Sequence, residues 1–206
     1  MSLTIKQRIW ALPAIATVIF GVGLAVSVYY STTAISSIKT TEDIDYPLLD
    51  HTKVLSAEVG SVVDSLKDAV SEGDKKRLEQ VEDNAKKVRD SLKVMGAEPS
   101  QKALVERLTK EFDGYYTPAT SVAKIMMNVD QGDPQEAIGK MQTALKTLQD
   151  DLAKTQEAAQ HQFKSGVERS GNSVRNVLYI SILVAVIVIL SLGGVSFVVV
   201  RAIWKQ

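Results

Sequence analysis

The chain has 206 residues, enough to bury a sizeable core in one or two domains. It contains no cysteine, which excludes a disulfide framework, a thiolate metal site, a cysteine nucleophile and thiol redox chemistry. A formal net charge of zero conceals regional sorting: all 24 acidic residues lie between Glu42 and Glu168, residues 31–176 carry 20 basic residues and hence a net of −4, and the two ends together carry +4.

Residues 1–8 form a short tip whose charges are Lys6 and Arg8, and residues 9–30, "IWALPAIATVIFGVGLAVSVYY", follow without a charge. At about 1.5 Å per residue this stretch is long enough to cross roughly 30 Å of hydrocarbon. It is too long for the apolar part of a typical cleavable signal and no clear A-x-A site follows, so it reads as a retained anchor. Gly21 with Ala25 and Gly23 with Ser27 are small-xxx-small pairs, which let a second helix approach closely, either from a symmetry mate or from later in the same chain.

Residues 31–176 read as an all-α, antiparallel, up-down four-helix bundle, because apolar residues recur at alternating steps of four and three. The first stripe is Leu48, Thr52, Leu55, Val59, Val62, Leu66 and Ala69; the second is Leu78, Val81, Ala85, Val88, Leu92 and Met95. A third, rougher one runs Leu104, Leu108, Phe112, Tyr115, Ala119, Val122, Met126, Val129. The fourth, Ile138, Met141, Leu145, Leu148 and Leu152, continues through Thr155 and Ala159 towards Phe163 and Val167. Gly73 is placed to end the first helix, Asp74 to cap the second, Gly96 to end it, and Asp133 with Pro134 to open the fourth. The helices are expected near 31–72, 74–95, 99–129 and 133–176, joined by short connections that favour antiparallel neighbours. Pro47 and Pro118 each remove an intrahelical hydrogen bond, so a kink or break is expected at both.

Residues 177–200, "VLYISILVAVIVILSLGGVSFVVV", form a second charge-free stretch of spanning length, and residues 201–206 are a short junction bearing Arg201 and Lys205. With basic residues before the first span and after the second, both ends are expected in the cytoplasm and residues 31–176 outside. Trp10, Arg201 and Trp204 then mark the inner boundary of the lipid bilayer, and Tyr29, Tyr30 and Tyr179 the outer one.

Reactive groups are sparse. His51 and His161 are the only histidines, no second histidine sits four residues away, and no metal or cofactor is expected. Neighbouring carboxylates such as Glu42 with Asp43, or Asp150 with Asp151, read as parts of a solvated face and not as a general acid-base pair. Lys75, Lys76 and Arg77 fall in the expected first turn of the second helix, where the helix dipole disfavours them by a few tenths of a kcal/mol, roughly. Lys67, Lys75, Lys76, Arg77 and Lys140 are the candidate contacts for an organic acid at the end of the bundle away from the membrane. A net acidic domain outside the cytoplasm excludes nucleic acid as a partner.

The order of tip, span, four-helix bundle and span, with "WALPAIATV" at the entry, "DYPLLD" early in the first long helix and "RAIW" at the exit, resembles the N-terminal sensor half of a bacterial methyl-accepting chemotaxis receptor. The exit is similar to the start of the HAMP linker that follows the second span in such receptors. The resemblance implies a homodimer in the bacterial cytoplasmic membrane, with a periplasmic sensor domain that binds a small solute such as an organic acid or amino acid. It also implies output through small displacements of the second span, and no enzymatic activity. The cytoplasmic hairpin that engages kinase-coupling partners has no counterpart here, so the chain is expected to be a fragment or a truncated product. The alternatives are a membrane-anchored four-helix scaffold or interaction protein, and the sensor half of a histidine kinase or cyclic-dinucleotide enzyme.

Overall fold

A computed structural model describes residues 5–204, in which no strand occurs. Lys205 lies outside the described residues, as do the side chains of Lys6, Arg8 and Trp10. The helices are α1 (Ile5–Thr40), α2 (Tyr46–Glu72), α3 (Arg77–Met95), α4 (Lys102–Met126) and α5 (Pro134–Trp204). They divide into two compact units: Asp43–Lys164, and Met1–Glu42 with Ser165–Gln206.

In Asp43–Lys164, four helical segments contribute to one core. The expected stripes supply it: Leu55, Val59, Val62 and Leu66 from α2, Val81, Ala85, Val88 and Leu92 from α3, Leu108, Phe112 and Tyr115 from α4, and Leu148 and Leu152 from α5 are buried. Each large side chain among them contributes about 1.5–3 kcal/mol through apolar area withdrawn from water. The stripes drift at their ends. Leu49 is buried in place of Leu48, which is only partly covered, and Met126 and Val129 are exposed at the end of the third stripe.

Punctuation explains these ends. Gly73 closes α2 with a left-handed φ of 67°, as expected of a glycine there. Gly96 closes α3 at an ordinary φ of −75°, so no left-handed turn calls for glycine there; a Cβ would meet Val105 at 3.3 Å, a tight contact. The third helix stops at Met126, earlier than expected, because Asn128 takes the left-handed φ of 54°. The Val129 N–H then reaches back to the Lys124 carbonyl at 2.8 Å and the Asn128 N–H to that of Ile125 at 3.0 Å, which is a Schellman closure. Asp133 accepts the Gln135 N–H at 2.9 Å, and Pro134 opens α5 where its missing N–H costs nothing.

The two prolines behave differently. Ahead of Pro47 the backbone widens into a π-helical turn, Thr41–Asp45, separating α1 from α2. At Pro118, α4 runs on without a break. Only the break expected there is absent.

In the unit of Met1–Glu42 with Ser165–Gln206, α1 lies against the C-terminal part of α5. Ser27 and Ser181 bring their hydroxyls to 3.5 Å, Thr41 and Ser170 theirs to 3.3 Å, and a Cβ on Gly23 would sit 2.6 Å from Val184. Rising residue numbers on α1 meet falling numbers on α5, so the pair is antiparallel. Gly23 and Ser27 thus face the same chain, whereas a Cβ on Gly21 would meet nothing within 4 Å. The apolar lengths of α1 and α5 are both long and apolar enough to cross a membrane.

This asymmetry is testable with Ser27→Cys and Ser181→Cys in an otherwise cysteine-free chain. Oxidation should give a rapid intramolecular disulfide, scored by mobility on a non-reducing gel. Adding Gly23→Val should suppress it severalfold, while Gly21→Val should leave it unchanged.

Candidate functional site

The sequence-predicted basic residues differ in their surroundings. Lys75 and Lys76 lie exposed in the turn between α2 and α3, which starts at Arg77 and not at Asp74; the expected first helical turn is replaced by a tighter one. In it the Asp74 carboxylate accepts the Lys76 N–H at 2.9 Å, and the Arg77 N–H bonds to the Asp74 carbonyl at 3.1 Å. Arg77 turns back onto α2, its Nε 2.8 Å from Glu72, with a longer contact of 4.0 Å to Asp68. Lys140 pairs with Glu136 on its own helix at 2.7 Å, and that ammonium holds the Glu136 carboxyl below its ordinary range.

Lys67 reaches a cavity. It lines a groove of about 340 Å³ between α2, α4 and α5, whose other walls include Val63, Leu66, Val70, Tyr115 and Met141. The groove lies at the end of the core where α2 runs into Gly73 and α4 into the Asn128 closure. Small residues on α4, Ala119 and Ala123, open it. Tyr115 is buried there, and burial, reinforced by the negative charge of Asp64, pushes its hydroxyl up to about 12. It stays a neutral phenol, able to donate, at any physiological pH.

Two polar clusters escaped sequence reasoning. Arg89 of α3 lies 5.5 Å from the ring centre of Phe112 and 5.0 Å from that of Tyr116, while pairing with Asp113 at 3.0 Å. The rings are stacked at 5.7 Å, so one guanidinium covers both and neutralises the carboxylate between them. Burial raises the Tyr116 hydroxyl, with Glu82 adding to the shift and Arg89 opposing it.

The second cluster joins α4 and α5. Arg107 Nε is 3.1 Å from Asp151 and 4.0 Å from Glu111, and Lys154 approaches Asp151 at 3.9 Å. Asp151 is therefore not on a solvated face as expected of the Asp150–Asp151 pair; only Asp150 is exposed. Burial, followed by contact with the Asp151 carboxyl, holds Glu111 above its ordinary value of 4.5, against the opposing pull of Arg107 and Lys154. The signal was present in spacing, since Glu111 follows Leu108 and Asp151 follows Leu148 by three residues, beside the core positions. Beside this pair lies a cleft of about 420 Å³ whose walls combine Arg107, Asp151, Lys154 and Gln162 with Leu48 and Leu104. Gln162 donates at 2.7 Å to Asp45, a buried carboxylate of the π-helical turn.

Of the two histidines, His161 is exposed and His51 half-buried, and among the described residues no group of three or more His, Asp and Glu is placed to hold a metal. Of the predicted boundary residues, Tyr29, Tyr30, Tyr179, Arg201 and Trp204 are all exposed. The antiparallel pairing of Ser27 with Ser181 sets the three tyrosines at one level, and Tyr29 and Tyr30 stack edge to face at 5.6 Å. From Tyr179 to Arg201 the helical rise is about 33 Å, close to the thickness of a hydrocarbon core. Comparison with protein-family models, curated proteins and solved structures returned no match.

The Arg89 cluster separates ring contact from ion pairing. Asp113→Ala should cost under about 1 kcal/mol, because the pair is half exposed. Arg89→Ala should cost about 1–2 kcal/mol, since it also uncovers two rings. Urea denaturation of both variants measures the difference.

Proposed function

We propose that the chain is a sensory receptor module of the chemotactic kind, which binds a small solute outside the cytoplasm and passes the event inward through α5. The observation that carries this reading is the continuity of α5: one helix, Pro134–Trp204, bears core residues such as Leu148 and Leu152 at one end and the apolar stretch before Arg201 at the other. A ligand that favours one arrangement of the core displaces a helix that also crosses the bilayer, provided it binds the two arrangements with different affinity.

In this reading the four segments form an antiparallel up-and-down bundle standing on two membrane-crossing helices, with both termini in the cytoplasm of a bacterium and the bundle in the periplasm. The level shared by Tyr29, Tyr30 and Tyr179 supports the outer boundary, and Arg201 and Trp204 the inner one. The solute, an organic acid or amino acid, occupies the groove beside Lys67, a candidate cation that lines it. A homodimer forms with the open Gly21 and Ala25 face of α1 available to a second copy. The module acts by binding and needs no catalytic group or cofactor.

Fusing residues 1–206 to the HAMP and signalling half of a chemotaxis receptor tests the reading. In cells lacking other receptors, kinase output should respond to one chemical class within an organic-acid and amino-acid panel. Trp204→Ala should shift the output baseline, because the helix loses an anchor that fixes its depth in the interface. A fusion that inserts normally yet has the same output for every solute, with and without Trp204, sinks the receptor reading and leaves the scaffold.

A further inference from the structure

We propose that Glu111 and Asp151 form a proton-held latch between α4 and α5, closed while one proton is shared by the two carboxyls and opened by its loss. That the latch serves as an input to signalling rests on the sensor reading above; its mechanical action does not.

The geometry supplies the parts. Glu111 stands on α4 and Asp151 on α5, and Arg107 reaches both, at 4.0 and 3.1 Å. The Glu111 side chain is only 18% exposed and its Oε2 is fully buried without any hydrogen-bond partner. A buried carboxylate oxygen without a donor is costly. Asp151, gathered by the same guanidinium, is another acceptor, so the group that can join the two carboxyls is a proton, giving an O–H···O⁻ bond between the helices. With Glu111 protonated, the trio of Glu111, Asp151 and Arg107 is neutral. When the proton leaves to solvent the trio carries −1, and two anionic carboxylates face each other with one guanidinium between them.

The charged groups acting on Glu111 are Asp151 and Lys154 from α5 and Arg107 from its own helix; among the described residues, α2 and α3 contribute none. Lys154 is too exposed and too far, at 3.9 Å from Asp151, to cancel the second negative charge. The cleft of about 420 Å³ that Asp151 lines gives the proton a path to water. The sign is fixed by direction: a carboxyl held above 4.5 in the fold binds its proton more tightly there than in the unfolded chain. The latch's stabilisation is complete below that ordinary value and is lost as pH rises through the raised one.

The absence of cysteine makes the test direct. Spin labels placed at Ala103→Cys on α4 and Ala153→Cys on α5, both exposed, report the distance between the helices in the full chain reconstituted in lipid nanodiscs. Between about pH 4 and about pH 8 the distance should widen by about 1–2 Å, as helix shifts do. Glu111→Gln, whose amide donates to Asp151 without titrating, should hold the low-pH distance throughout and should abolish the decline of the thermal midpoint with rising pH. Asp151→Asn, which removes the facing charge but leaves Glu111 buried, should shrink both responses and serves if the first variant does not fold. A wild-type distance that ignores pH, or a Glu111→Gln chain that still responds, overturns the latch. Either result leaves the solute response of the receptor fusion as a separate question.

Discussion

One uninterrupted ladder of backbone hydrogen bonds, from Pro134 to Trp204, is the constraint on which the rest of the structure depends. Seventy-one residues of α-helix span about 106 Å if straight, at 1.5 Å per residue. A helix of that length is stable only where its faces are covered or its environment lacks water, since propensity alone supports isolated helices poorly. The α5 sequence changes accordingly. Around Leu148 and Leu152 it offers a narrow apolar stripe to three other segments, and from Val177 it is apolar on every side. The backbone never changes, and only the partner of the side chains does.

The other long path through the molecule does not share that continuity. Between α1 and α2 the π-helical turn Thr41–Asp45 adds a residue to the helical cycle just before Pro47, which cannot donate. The turn also inserts Asp45, a buried carboxylate that takes its hydrogen bond from Gln162 of α5, while Tyr46 packs on Phe163 with ring centres 5.9 Å apart. An interruption in one helix is thereby stitched to an unbroken neighbour. Pro118, lacking any such environment and placed one turn after an exposed glycine, leaves α4 intact.

Much of this was legible in the sequence, and the failures have physical reasons. Apolar periodicity located the core, because a residue's burial on a helix follows from its angular position. It slipped at Leu48 and Leu49, where the π-helical turn shifts the angular count just upstream, and at Met126, where Asn128 performed the stop usually assigned to glycine. Charge chemistry was less legible. Clustering of Lys75, Lys76 and Arg77 in sequence suggested a binding site, yet the turn spreads them and α2 claims the arginine. The Glu111, Asp151 and Arg107 cluster, by contrast, combines residues forty apart. Helix register, which a pattern on each helix separately leaves open, decides that they meet.

The two units also differ in what fills the space between helices. Within Asp43–Lys164 the interior is mainly Leu and Val, with Phe112, Tyr115, Met95 and three alanines, as expected where withdrawal of apolar area from water drives association. Within the other unit the covered positions of α1 include Gly23, Ser27, Ser31, Ala34 and Ser37 beside Ile19, with Thr41 following, and those of α5 include Gly166, Ser170 and Ser173 before the apolar stretch and Val177, Ile180, Val184 and Val188 within it. Lipid tails are as apolar as leucine, so helices of this kind in a membrane would gain from close backbone approach and shared hydroxyl contacts instead, and small residues on one of the two permit both. The small-residue seam nevertheless continues past Tyr30 on α1 and before Val177 on α5, into residues too polar for hydrocarbon. In that stretch neither driving force is strong: little apolar area is buried, and water competes for the hydroxyls. It follows that Ser31–Thr41 pairs with the facing part of α5 more weakly per residue than either flanking region, so the pairing there yields first when the helices shift.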